Sequence, residues 1–199
     1  NAMTIGDIAV DWKHGKQIWV GTGEANSSRS SYSGIGIFKS SNGGKTWDYK
    51  GLPESQHIGK ILLNPDDTNT VFVAALGHLY SYNKERGVYK TTDGGKNWKQ
   101  ILYVNDTTGA VDIQFDPQNV HTLFCVMWQR DRKAWNFSES GNGSGIYKST
   151  DDGNTWKLIT DKNSGFPCGA GTGRIGISIF PNNSTIIYAI LDNENHKAK

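Results

Sequence analysis

Three polar, aromatic-rich stretches carry the side chains best suited to chemistry. Residues 21–34 hold Glu24, Asn26 and Arg29; residues 77–87 hold His78, Tyr80, Tyr82, Lys84 and Arg86; residues 128–145 hold Gln129, Arg130, Asp131, Arg132 and Trp135. Aromatic faces among hydrogen-bonding side chains suit carbohydrate, because the apolar face of a sugar stacks on a ring while its hydroxyls meet fork-like donors such as Arg. Long connections on a rigid scaffold are more often functional than merely connective. Glu24, Asn26, Arg29, His78, Tyr80, Arg86, Gln129, Arg130, Arg132 and Trp135 therefore form a candidate surface for a glycan or a peptide. The competing reading is a solvated rim whose charges pair with one another. Cutting a glycosidic bond would require two carboxylates roughly 5–10 Å apart. Glu24, Asp131 and Glu139, with Glu85 behind them, are the candidates, but no two have a diagnostic spacing, so no catalytic residue is assigned.

Other chemistry finds less support. His14, His57, His78, His121 and His196 lack metal-ligand spacing, so no metal is expected. Gly169-Ala170-Gly171-Thr172-Gly173 is glycine-rich but lacks the strand-then-helix setting of a nucleotide cradle, and no cofactor is expected. Asp66-Asp67-Thr68-Asn69 reads as a tight turn. The 21 basic and 19 acidic residues nearly balance, which argues against a nucleic-acid partner. No apolar stretch approaches the length needed to enter a membrane as a helix. Cys125 sits in an apolar run and reads as a buried small hydrophobe, and two cysteines do not fix a redox compartment. Asn1-Ala2-Met3 has the look of a tag remnant.

The elements that must position the three stretches repeat. Ser40-Ser41-Asn42-Gly43-Gly44-Lys45-Thr46-Trp47 recurs as Thr91-Thr92-Asp93-Gly94-Gly95-Lys96-Asn97-Trp98 and as Ser149-Thr150-Asp151-Asp152-Gly153-Asn154-Thr155-Trp156. Each copy follows a short strand pattern: Gly36-Ile37-Phe38-Lys39, Gly87-Val88-Tyr89-Lys90 and Gly145-Ile146-Tyr147-Lys148. A second series begins at Ile8, Ile61, Ile113 and Ile177, each followed after a polar turn by another apolar strand. Offsets of 51 and 58 residues between boxes suit a four-stranded blade. With 24 Gly and abundant aromatics, the expected fold is all-β, a β-propeller of four-stranded antiparallel blades. The units run 4–52, 53–104 and 105–160 after a remnant at 1–3; residues 161–199 supply strands one and two of a fourth blade. That makes about three and a half blades.

The octapeptide resembles the Asp-box (BNR) motif of sialidase, xyloglucanase and sortilin-type propellers. Copy three matches fully, copy two has Asn97 where Thr is usual, and copy one has Asn42 for Asp. Val20-Gly21-Thr22-Gly23-Glu24, Ala75-Leu76-Gly77-His78-Leu79 and Met127-Trp128-Gln129-Arg130 resemble the sortilin-type, xyloglucanase-like repeat of large exported bacterial proteins, often called glycosyl hydrolases. The resemblance implies a ring of seven or more blades, of which this chain is a fragment, and a periplasmic, cell-surface or secreted location with any signal peptide removed. Sialidase chemistry would need an arginine cluster; Arg29, Arg86, Arg130 and Arg174 could supply one, but the early Arg-Ile-Pro signature is missing.

The box itself is expected to be structural. Ser40, Asn42, Gly44 and Trp47, with their counterparts Thr91, Asp93, Gly95, Trp98 and Ser149, Asp151, Gly153, Trp156, should accept turn N–H groups, supply positive φ and anchor the last strand. The leading expectation is a non-catalytic recognition or scaffold module; the alternatives are a hydrolase fragment whose acid/base pair is completed elsewhere, or a purely structural half-ring. An open last edge also predicts a homodimer through blade edges.

Overall fold

The computed structural model describes residues 4–13 and 15–196, apart from the side chain of His196. The remnant Asn1-Ala2-Met3, His14 and residues 197–199 lie outside the described residues. Strands β1 (Ile5–Val10), β2 (Ile18–Thr22), β3 (Ile37–Ser40) and β4 (Asp48–Tyr49) form one antiparallel sheet in sequence order. A second sheet follows from β5 (Ile58–Leu63), β6 (Val71–Ala75), β7 (Gly87–Thr91) and β8 (Lys99–Leu102). In the third, β9 (Thr108–Asp116) and β10 (Asn119–Gln129) are joined to β13 (Gly145–Ser149) and β14 (Lys157–Leu158). Between them a short hairpin, β11 (Asp131–Arg132) and β12 (Phe137–Ser138), folds back on itself. A two-stranded sheet, β15 (Thr172–Ile179) and β16 (Ile187–Asn193), completes the described order. The fold is thus an all-β propeller of four-stranded blades, with two short 3-10 turns at Pro53–Ser55 and Glu194–His196. Among the described residues no helix is long and apolar enough to cross a membrane.

Three apolar cores lie between successive sheets rather than within them. Trp19 and Ile37 of the first blade meet Ile61, Val71 and Val73 of the second. Phe72, Ala74 and Val88 of the second meet Ile113, Leu123 and Cys125 of the third, so Cys125 is buried with its thiol pushed up by desolvation. Phe124, Val126 and Trp128 then meet Ile175 and Ile179. A lysine covers the strand-two aromatic of each complete blade: Lys39 Nζ lies 4.9 Å from the Trp19 ring, Lys90 Nζ 5.3 Å from Phe72 and Lys148 Nζ 5.2 Å from Phe124.

The innermost strands β1, β5, β9 and β15 all carry a register shift at the same place. There the backbones nearly touch. A Cβ on Gly59 would stand 2.5 Å from the Val111 carbonyl oxygen. Gly59→Ala is therefore expected to cost about 2 kcal/mol by forcing two inner strands apart, measurable by urea denaturation.

The box turns are hydrogen-bonded webs. Ser149 Oγ donates to Asp151 Oδ1 at 2.8 Å and accepts the Gly153 N–H at 2.9 Å; Asp151 accepts the Thr155 N–H at 2.9 Å and its hydroxyl at 2.6 Å. Those bonds, the Thr155 hydroxyl first, hold Asp151 down at about 2, and the Asn97 N–H and amide hold Asp93 well below the usual carboxylate range. Gly44, Gly95 and Gly153 all take positive φ. Asn42 fills the role with an amide, accepting the Thr46 N–H at 2.9 Å and donating to the Thr46 hydroxyl at 2.8 Å. Asp151→Asn should therefore keep the turn at pH 7, whereas Asp151→Ala should lower the melting midpoint. Folded pKa values below the unfolded one mean stability present above pH 3.8 and lost on acidifying through about 2; Asp151→Asn should remove its share of that loss.

The tryptophans reach beyond strand four. Trp98 Nε1 donates to the Lys50 carbonyl of the preceding blade at 2.6 Å, and its ring meets Trp19 edge-on at 6.3 Å. Trp98 thus staples one blade to another, whereas Trp47 and Trp156 donate within their own turns, to the Gly44 and Gly153 carbonyls at 3.1 Å each.

Candidate functional site

The loops that follow β2, β6 and β10 open on one end of the blades, opposite the box turns. The segment after β2 lies across this end, and its polar groups accept hydrogen bonds from the next three blades. His57 Nδ1 meets the Glu24 carbonyl at 2.8 Å; because a carbonyl only accepts, Nδ1 carries the proton. Arg174 donates to the Ala25 carbonyl at 3.3 Å, and Tyr80 donates to the Arg29 carbonyl. Arg132 donates to the Ser27 carbonyl at 2.9 and 3.2 Å, while Arg130 donates to the Ser27 hydroxyl and to the Leu76 and Gly77 carbonyls at 3.3 Å each. Ser27 sits at φ 58, an uncommon conformation for a serine that three of these donations, one to its hydroxyl and two to its carbonyl, hold in place.

The arginines form a cationic group that is buried at Arg86 and Arg130 and exposed at Arg174. Arg130 and Arg174 flank the Trp128 ring, with guanidinium carbons 5.7 and 5.2 Å from its centre. Burial, then the charges of Arg86, Arg174 and Arg132, push Arg130 down to about 9. Burial likewise pushes Arg86 down to about 10, with Asp106 and Asp131 opposing. Both expectations of ligand contact at these two residues need correction. Arg86 is buried and directs Nη1 and Nη2 at the His78, Ser81 and Thr107 carbonyls, at 2.6, 3.1 and 3.3 Å, while its Nε finds no partner. Arg130 is buried between blades. A long cation fits such a place because its planar fork satisfies several carbonyls at once.

The remaining candidates divide. Gln129 accepts the Gly143 N–H at 2.8 Å, and Asn26 accepts from Ser28 and Ser31 within its own turn. His78 bridges Ser81 at 2.9 Å and Glu54 at 3.2 Å. Arg29, Tyr80 and Tyr82 are exposed. The β11–β12 hairpin is braced: Arg132 stacks 3.7 Å from the Phe137 ring centre, Lys133 lies 5.0 Å from that of Tyr82, and Tyr82 donates to Asp131 at 3.1 Å. At its tip Trp135 is 85% exposed. Of the candidate acids, Asp131 is engaged by Tyr82 and by Lys133 at 3.1 Å, and Glu139 contributes its carbonyl to Trp128 Nε1 at 2.7 Å. No hydrogen bond joins any two of Glu24, Asp131 and Glu139.

Sequence reasoning missed the charges on the inner strands. Asp7 accepts the Ile61 N–H at 2.7 Å and pairs with Lys60 at 3.7 Å. Asp112 accepts from Gln114 at 2.9 Å and shares a cleft of about 600 Å³ with Arg174, Asp192 and Gly59. The available signal was a charged residue immediately before Ile8, Ile61 and Ile113.

The family model described as "Sortilin, neurotensin receptor 3" (Sortilin-Vps10) matches residues 36–199. The chain belongs to the Sortilin-Vps10 family. Its similarity to the vacuolar protein sorting/targeting protein 10 of Kluyveromyces lactis is 31% identity over 87 residues, 44% of this chain and 5% of that relative. Among solved structures, it superposes on an ancestral GH74 enzyme with TM-score 0.68 and 18% identity, over 94% of this chain and 22% of the other. The GH74 enzyme of Niastella koreensis gives 0.61 at 22% identity, over 90% and 24%. The GH74 xyloglucanase of Xanthomonas campestris gives 0.58 at 16% identity, over 87% and 25%. At these identities the likeness is one of fold. This Sortilin-Vps10 chain spans a quarter or less of each of these proteins.

Proposed function

We propose that this chain is a non-catalytic recognition module of an exported bacterial protein, and that its long-loop end binds glycan. The observation that carries the reading is Trp135, 85% exposed at the tip of a hairpin braced by Arg132, Phe137, Lys133 and Tyr82. A large aromatic at the tip of a braced hairpin offers an apolar face on which a sugar ring can stack. Exposed Tyr82, which touches Lys133 and Asp131 of the hairpin, extends the platform. On a glycan array, wild type should give a defined binding pattern. Trp135→Ala should weaken it about tenfold with an unchanged melting midpoint. Exclusive binding of peptides, or undiminished glycan binding by the variant, would overturn the reading.

A hydrolase reading draws on the inner-strand cleft, where Asp112 and Asp192 share one wall system with Arg174. It predicts release of new reducing ends from xyloglucan and loss of that release in Asp112→Asn.

A further inference from the structure

Every arginine of the chain, Arg29, Arg86, Arg130, Arg132 and Arg174, lies at the long-loop end. Among the described residues none of them pairs with a carboxylate, whereas Lys13, Lys50, Lys60 and Lys133 each do. A guanidinium is the side chain best shaped to hold a carboxylate or a sulfate, because two parallel N–H groups meet two oxygens. Here these forks meet main-chain carbonyls or nothing.

Three cations gather where the segment after β2, the loop after β6 and the β11–β12 hairpin touch. Tyr80 of the loop donates to the Arg29 carbonyl, and Tyr82 donates to Asp131 of the hairpin at 3.1 Å. Arg132 of the hairpin donates through Nε and Nη2 to the Ser27 carbonyl, which leaves its Nη1 spare. The loop and the hairpin belong to the second and third blades, both of whose faces are covered within this chain. Arg29 is exposed, and its guanidinium makes no hydrogen bond or ion pair among the described residues. The third cation, Lys133, already matches Asp131 at 3.1 Å, and Asp131 is the hairpin's one acid. Arg130, buried and bound to the Ser27 hydroxyl, adds positive charge with its Nε unpartnered.

We infer that the glycan bound at this end is acidic: a sugar ring stacks on Trp135 while its carboxylate or sulfate is held by Arg132, on the same hairpin, and by Arg29. This rests on the glycan binding proposed above at Trp135 and adds the class of sugar. Charge-assisted hydrogen bonds to an anion are about twice as strong as those to a neutral hydroxyl. An anion here also offsets the mutual repulsion of the arginines.

Calorimetric titration with tetragalacturonate, its fully methyl-esterified form and a sulfated galactotetraose tests the class. At least one of the two acids should bind about tenfold more tightly than the ester, by a margin that shrinks as salt is raised. The tighter acid distinguishes carboxylate from sulfate. Arg29→Glu should abolish the margin with an unchanged melting midpoint, since its guanidinium supports nothing in the fold, and Arg29→Lys should keep part of it. Equal affinities for acids and ester, all lost in Trp135→Ala, would overturn the acidic class and leave glycan binding at Trp135 standing. Failure of both acids to bind, or tighter binding of a tetraglutamate peptide, would overturn it as well.

Discussion

Arg130→Ala is expected to lower the unfolding free energy by about 3 kcal/mol and to free residues 24–31 to fast amide exchange. Truncation leaves the Ser27 hydroxyl and the Leu76 and Gly77 carbonyls without their donor, in a place water does not reach. Part of the loss is returned, because the guanidinium is itself held against burial and against three neighbouring arginines. The acceptors decide the sign, since unsatisfied buried groups cost more than a mean hydrogen bond contributes. Lysine should rescue little, as one ammonium cannot span two blades as a planar fork does. Urea denaturation with hydrogen exchange followed by mass spectrometry reads both effects. A loss confined to residues 128–132 would show that Arg130 does not hold the 24–31 segment.

Acidification should act earlier than the box carboxylates allow. Burial, then the Arg130 charge, lowers His57 from 6.5 to about 4, while the Glu24 carbonyl opposes the shift. His78 and Arg86 add to it. A histidine whose folded pKa lies below its unfolded one favours folding most when both states are neutral. Its contribution is therefore complete above pH 6.5 and disappears as pH falls to about 4. At 1.36 kcal/mol per unit this is about 3 kcal/mol. Stability measured between pH 7 and 4 should fall by that much in wild type and stay nearly flat in His57→Gln, which starts lower. A wild-type profile flat down to pH 4, with loss only through the Asp93 and Asp151 range, would contradict the placement of His57.

The propeller was legible because a repeat states its own period. Box glycines, inner-strand isoleucines and the intervening turns recur in register, so sheet order followed from spacing alone. The long loops were less legible for a definite reason. Their side chains bind the main-chain oxygens of Glu24, Ala25, Ser27 and Arg29, and a carbonyl has no residue type. An arginine in a polar loop reads alike whether it meets a ligand or a backbone. Arg86 and Arg130 were consequently expected at the surface. The hairpin inside residues 128–145 was hidden for a similar reason, since its two-residue strands are held by Arg132 on Phe137 rather than by an apolar alternation. The lysine-on-aromatic pairs had a visible repeat, Trp19 with Lys39, Phe72 with Lys90 and Phe124 with Lys148, but only cross-strand register gives those pairs meaning.

The proposed function is glycan binding without turnover at the Trp135 hairpin. Saturation-transfer NMR with the strongest glycan from the array, recorded over a day on wild type and Trp135→Ala, tests it most directly. The expected result is saturation on the sugar ring protons that face an aromatic, strongly reduced in the variant, with the glycan intact throughout. Cleavage products in the wild-type sample, or equal transfer in both proteins, would contradict it.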